Sequence, residues 1–264
     1  MNKVIRAEFG RTINAGLIIA IAGIIFSICF DSFNDLIAGL RNGQEYVGYF
    51  FSNAAFGGMC THYMLPVFTA LPFSVSLCQE RNNKAVSYIV SREGKNRYIF
   101  AKFIVSAISG GFVAVCGTVL LFLMLAMRFP IAGDEFEGAV VSDYFHEWSA
   151  VYYPQLYILT LSILAFCRGV IWSSLALCVS LYTSDFMVVL LSPFLGSYVL
   201  VRIFQIIRVP DMVRPDMILI GQVVIKSSGL TLIIAIAISL TIVTLIGAFF
   251  VGKMREGLKS GTIY

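Results

Sequence analysis

Apolar residues in this chain come in long unbroken runs rather than in alternation. Six runs read as helices: Ile13–Phe30, Met59–Cys78, Phe100–Met127, Gln155–Tyr182, Phe186–Ile207 and Gly229–Val251. About 20 apolar residues, each rising about 1.5 Å, match the hydrocarbon thickness of a bilayer. Membrane β-strands would instead alternate apolar and polar residues over about ten positions. The pattern therefore predicts an all-α integral membrane protein with six transmembrane helices. The third and fourth runs exceed the minimum length and leave room for tilt.

Composition excludes the competing classes. Of the 264 residues, 58% are hydrophobic and 13% charged, and the mean hydropathy is +0.86. A typical soluble domain has roughly 45–50% and about 25%, so these charges are too few to cover a water-facing surface. Disorder requires low hydrophobicity. The sequence shows no internal repeat, low-complexity tract or long linker, so residues 1–264 read as a single transmembrane domain.

Charge sets the expected orientation. With the N-terminus inside, the segments 1–12, 79–99, 183–185 and 252–264, together with Lys102, hold 12 of the 19 Lys and Arg residues. The outer side holds six: Arg41, Arg128, Arg202, Arg208, Arg214 and Lys226. The positive-inside rule then places both termini in the cytosol of a multi-pass cell-membrane protein. Lys3, Arg6 and Arg11 before an apolar run resemble the start of a signal peptide. The run is too long, however, and ends Cys29-Phe30-Asp31 without a small-residue cleavage site, so it reads as a retained span.

Three connections carry a pattern of their own. In segment 1–12, Ile5 and Phe9 share a helix face, which suits a short interfacial helix. In segment 79–99, Ala85, Tyr88 and Ile89 recur at the spacing of one helical face, and Gly94 suits a helix C-terminus. That segment predicts a short amphipathic helix followed by a basic turn. Segment 201–228 is apolar but broken by Arg202, Arg208, Pro210, Arg214, Pro215 and Lys226. It reads as short re-entrant or interfacial helices on the outer side. The outer loop after the third run carries five acids between Asp134 and Glu147, with Tyr144, Phe145, Trp148, Tyr152 and Tyr153 as an interfacial aromatic belt.

Candidate chemistry is sparse. The two histidines, His62 and His146, lie far apart in sequence, and no HExxH or GxSxG occurs. Away from their boundaries the runs contain no acid of the kind that proton-coupled transporters use. The six cysteines form no CxxC or Cys/His cluster, so no metal site or cofactor is expected. Cys29 and Cys60 both lie near the outer face, where a disulfide and simple apolar filling remain alternatives. Gly247–Met254 fits GxxxxGK, but Met254 stands where a magnesium-binding Ser or Thr is required and no strand precedes it. Arg168 is the one charge deep in a run. Such a charge costs at least about 2.5 kcal/mol to insert, so it should face protein or water. Two roles fit it: lining a polar pathway toward an anionic group, or hydrogen-bonding backbone carbonyls at a kink. Pro66, Pro72 and Pro193 favour kinks, and Ser106, Ser109, Gly110, Gly111 and Gly117 permit close helix approach.

Glu80-Arg81, then Ser91-Arg92, then a basic cluster ending at Lys102, together with the run pattern, resemble the permease subunit of ABC-2 type (exporter-type) ABC transporters. Glu93-Gly94-Lys95-Asn96-Arg97 replaces the Pro-containing turn common in that family, and Ala101 replaces a Gly. The resemblance implies that the 79–99 helix is a coupling helix docking on a separate P-loop ATPase subunit. Its contact residues would be Glu80, Arg81, Lys84, Tyr88, Ser91 and Arg92. It also implies a non-catalytic chain paired with a second permease chain, in a bacterial plasma membrane, with no nucleic-acid partner. The cargo would be an amphipathic peptide, drug or lipid. The alternative is a secondary transporter or channel without an ATPase.

Overall fold

The computed structural model describes residues 2–42, 47, 58–129, 154–223 and 225–260. Among these it forms eleven α-helices and one 3-10 turn. The helices are α1 (Asn2–Thr12), α2 (Ala15–Asp31), α3 (Phe33–Asn42), α4 (Met59–Ala70), α5 (Ser76–Asn82) and α6 (Val86–Glu93). They continue as α7 (Lys95–Ala126), α8 (Pro154–Val179), α9 (Phe186–Ile207), α10 (Pro215–Ile220) and α11 (Ser228–Ser260), with the 3-10 turn at Asp211–Val213.

This corrects the six-span expectation. Among the described residues four helices are long and apolar enough to cross a membrane: Lys95–Ala126, Gln155–Val179, Phe186–Ile207 and Ser228–Ser260. A fifth counts only if Val4–Thr12 and Ala15–Asp31, bent by 56° to each other, make one span. The chain is thus a multi-pass helical membrane protein, but the run Met59–Cys78 is not one continuous helix and the run Ile13–Phe30 counts as a span only together with α1. The first forms a helix of 17 residues, about 26 Å long at 1.5 Å per residue against a core of about 30 Å. The second breaks after 12 helical residues at Ala70. Pro72 follows, lacking the N–H that would continue the ladder, and helix resumes only at Ser76. Pro72 therefore breaks the run outright rather than only kinking it. The outer segment is also shorter than 201–228, because α9 keeps its helix to Ile207 and Arg208 ends it with a φ of 56°.

Helix α2 and helix α4 form an antiparallel hairpin pinned at both ends. At one end Asn14 accepts from the Leu17 N–H, capping α2, and its side-chain amide donates to the Pro72 carbonyl at 3.3 Å. At the other, Asp31 accepts from the backbone N–H groups of Cys60 at 2.9 Å and Thr61 at 2.6 Å. Those N–H groups open α4 and lack partners within the helix. A carboxylate there also meets the positive end of the helix dipole.

Helix α8 is the central element, touching α4, α7, α9, α10 and α11. Its closest neighbour is α7, where the two backbones meet at glycine. A Cβ built on Gly169 would lie 2.5 Å from the Gly110 carbonyl oxygen, and one on Gly110 would lie 2.4 Å from Ser173. Ser74 hydrogen-bonds Ser106 at 3.0 Å and donates to the Ser173 carbonyl at 3.0 Å, tying the α4–α5 turn to the same seam. All six cysteines are free thiols.

Candidate functional site

Helix α6 sits on a seat built from four other helices, α5, α7, α8 and α11. Val86 and Val90, four residues apart and so on one face, are buried with Leu77, Tyr98, Ile99, Leu177 and Met254. The buried stripe is therefore not the Ala85–Tyr88–Ile89 face expected from spacing, since Tyr88 is 67% exposed. Lys84, Ser91 and Arg92 are exposed beside it. Arg92 pairs with Glu93 at 3.0 Å and stacks on the Tyr88 ring at 6.0 Å. Ser91 donates to the Tyr88 carbonyl at 2.8 Å. Gly94, with φ 87° and ψ 138°, separates α6 from α7. This conformation is open only to glycine without strain, and it lets α7 start in a new direction one residue later.

Glu80 and Arg81, grouped with these residues in the sequence reading, turn inward instead. Glu80 is buried and accepts from Lys102 at 2.7 Å, Arg11 at 2.6 Å and the Tyr98 hydroxyl. Lys102 is fully buried and also donates to Glu8 at 3.1 Å and Ser76 at 3.2 Å, with its ammonium 4.8 Å from the centre of the Phe73 ring. Two cations and two carboxylates thus balance in a cluster that joins α1, α5 and α7. Arg81 donates to the carbonyls of Ser180 at 2.9 Å and Leu181 at 3.3 Å, just past the end of α8. A cation there satisfies orphan carbonyls and opposes the negative helix end. Asn82 adds a bond to the Ser184 carbonyl at 3.2 Å. Of the six candidate contact residues, the structure leaves Lys84, Tyr88, Ser91 and Arg92 on the surface. The inward pair holds their platform to the rest of the protein.

Arg168 occupies a second site on α8. It is 7% exposed. Among the described residues it makes no hydrogen bond or ion pair, to a backbone carbonyl or otherwise. It borders a cavity of about 180 Å³ with His62 and Tyr63 from α4, Gln205 from α9, and Arg214 and Asp216 at the start of α10. An adjoining cavity of about 130 Å³ shares Arg168, His62 and Asp216 and is otherwise lined largely by apolar side chains, among them Ile171, Trp172, Leu175, Leu200, Leu219 and Ile242. Arg214 and Asp216 satisfy each other at 2.7 Å, and Arg214 reaches Asp211 at 3.1 Å. The sequence reading missed that His62 and Arg168 meet, since they lie on different helices far apart in the chain. The only signal was that each is a polar exception in an apolar run.

The helical stretch Gly247–Met254 lies inside the continuous α11, not in a phosphate-binding loop. Among the described residues no group of three or more His, Cys, Asp or Glu could hold a metal ion. The acids between Asp134 and Glu147, the aromatics from Tyr144 to Tyr153, and His146 lie outside the described residues. The chain matches no protein-family model, no curated protein and no solved structure.

Proposed function

We propose that the chain is the membrane-embedded permease subunit of an ATP-driven exporter of the ABC-2 type. A separate P-loop ATPase docks on α6, and a second permease chain completes the pathway in a bacterial plasma membrane. The observation that supports this reading is the surface of α6. It presents Lys84, Tyr88, Ser91 and Arg92 on a helix whose other face is buried and whose flanking residues are bonded to α1, α7 and α8. A short helix so held transmits a push to its neighbours as a rigid body, which is what coupling to a closing ATPase requires. Its exposed charges give a partner a register to read. The apolar chain suits an amphipathic peptide, drug or lipid as cargo.

The test is affinity purification from mild detergent with mass spectrometry. Wild type should recover a soluble P-loop ATPase, and Lys84→Glu/Arg92→Glu should lose it. Arg81 is left intact in that variant because its guanidinium bonds α8 internally. A well-folded wild type that brings down no ATPase would end this reading in favour of a secondary transporter or channel.

A further inference from the structure

We infer that the paired cavities beside Arg168 bind an amphiphile: one anionic group, a carboxylate or phosphate ester, on an apolar tail. The inference concerns this ligand alone and does not rest on the export reading.

The anionic half follows from charge. Arg168 as a residue is more than nine-tenths buried, its remaining surface opens on the cavity, and no described residue hydrogen-bonds or pairs with its guanidinium. A buried ion without a partner is costly, and a planar guanidinium meets carboxylate or phosphate through two parallel hydrogen bonds. The other charges on the wall do not compensate it. Asp216 is taken up by Arg214, which also pairs with the largely exposed Asp211. His62 borders both cavities, and no described residue hydrogen-bonds its ring, so it adds a second polar group beside the guanidinium.

The apolar half follows from helix geometry. Ile171, Trp172 and Leu175 stand three, four and seven residues beyond Arg168 and so continue its face of α8. They line the second cavity opposite Leu219 and Ile242. A head at Arg168 therefore leads directly to an apolar chamber of matching direction. Inorganic anions would leave that chamber unused, and uncharged lipids would leave the guanidinium unmet.

The two tryptophans make the test direct. With Trp148→Phe, Trp172 in the chamber wall is the sole reporter. The protein, in phosphatidylcholine nanodiscs, is titrated with decyl phosphate, decanol and inorganic phosphate. Decyl phosphate should give a saturable change in Trp172 fluorescence. Arg168→Gln should weaken it about tenfold or more, the scale of a hydrogen bond to a charged group, and the exposed-site control Arg202→Gln should not. Leu200→Phe, which keeps the charge and narrows the chamber, should also weaken binding, so the result does not hang on one variant's folding. Nanodiscs doped with phosphatidic acid distinguish the source. Competition assigns the site to a membrane lipid, its absence to a free amphiphile, and both sustain the inference. No response to decyl phosphate, an equal response to decanol or to phosphate alone, or wild-type binding by folded Arg168→Gln or Leu200→Phe would overturn it.

Discussion

Without the ammonium of Lys102, Glu8 and Glu80 would remain as two buried carboxylates facing one cation, Arg11, whose side chain is half exposed, and the Tyr98 hydroxyl. Removing one partner from a buried ionic cluster costs roughly 3–5 kcal/mol. Lys102→Met should therefore lower the apparent melting temperature in mild detergent markedly. The triple change Lys102→Met/Glu8→Gln/Glu80→Gln should recover part of that loss, because the one charge left behind, Arg11, is half exposed rather than buried. If the single variant melts with wild type, the cluster contributes nothing to stability. Little of this was legible in the sequence. Lys102 reads there as one more cytosolic cation, and Glu8 as a charge on an interfacial tail. Arg168 was legible because a charge inside an apolar run stands out without any partner. Its cavity was not, since pairing across four helices leaves no trace in local spacing.

At the scale of elements, the α7–α8 seam depends on two positions without side chains. Gly169→Leu would drive a side chain into the Gly110 backbone, 2.5 Å from where its first carbon must lie. Backbone cannot yield as a flexible side-chain tip can, so the cost should reach or exceed the 1–3 kcal/mol typical of overpacking. Gly252→Ala, in α11 with nothing within 4 Å of the added carbon, should instead stabilise by up to about 1 kcal/mol. Parallel thermal unfolding of the two variants checks the contrast, and equal behaviour would refute the close approach. The small residues of the third run predicted some close contact but not its partner. Element type was readable wherever apolar runs were long, and element length failed where Pro72 interrupted one. On α6, two neighbouring stripes satisfy the same spacing. Periodicity cannot choose Val86–Val90 over Ala85–Ile89, because only the seat beneath decides which stripe is covered.

For the whole molecule, among the described residues three span-length helices, α7, α8 and α9, separate the surface of α6 from the 3-10 turn at Asp211–Val213. If these three are the crossings between them, the two exposed sites lie on opposite sides of the membrane. In a background free of native cysteines, Tyr88→Cys and Met212→Cys should be labelled by a membrane-impermeant maleimide from opposite faces of oriented vesicles. Labelling of both from one face would mean that one of the three helices does not cross. The positive-inside count anticipates the same separation, since the basic residues near α6 cluster at one end of these helices. It carries no information on whether α2 and α4 reach across, because their shortfall lies in helix length rather than in charge.

The cluster around Lys102 also imposes an order on biosynthesis. Helix α1 leaves the ribosome before α7, and Glu8 finds Lys102 only 94 residues later. At about 5–20 residues per second, that delay is roughly 5–20 s. During that time α1 lacks the ammonium that pairs with Glu8. A nascent chain arrested before α7 would carry a protease-sensitive α1, and protection would arrive with the lysine rather than with the helix that bears it.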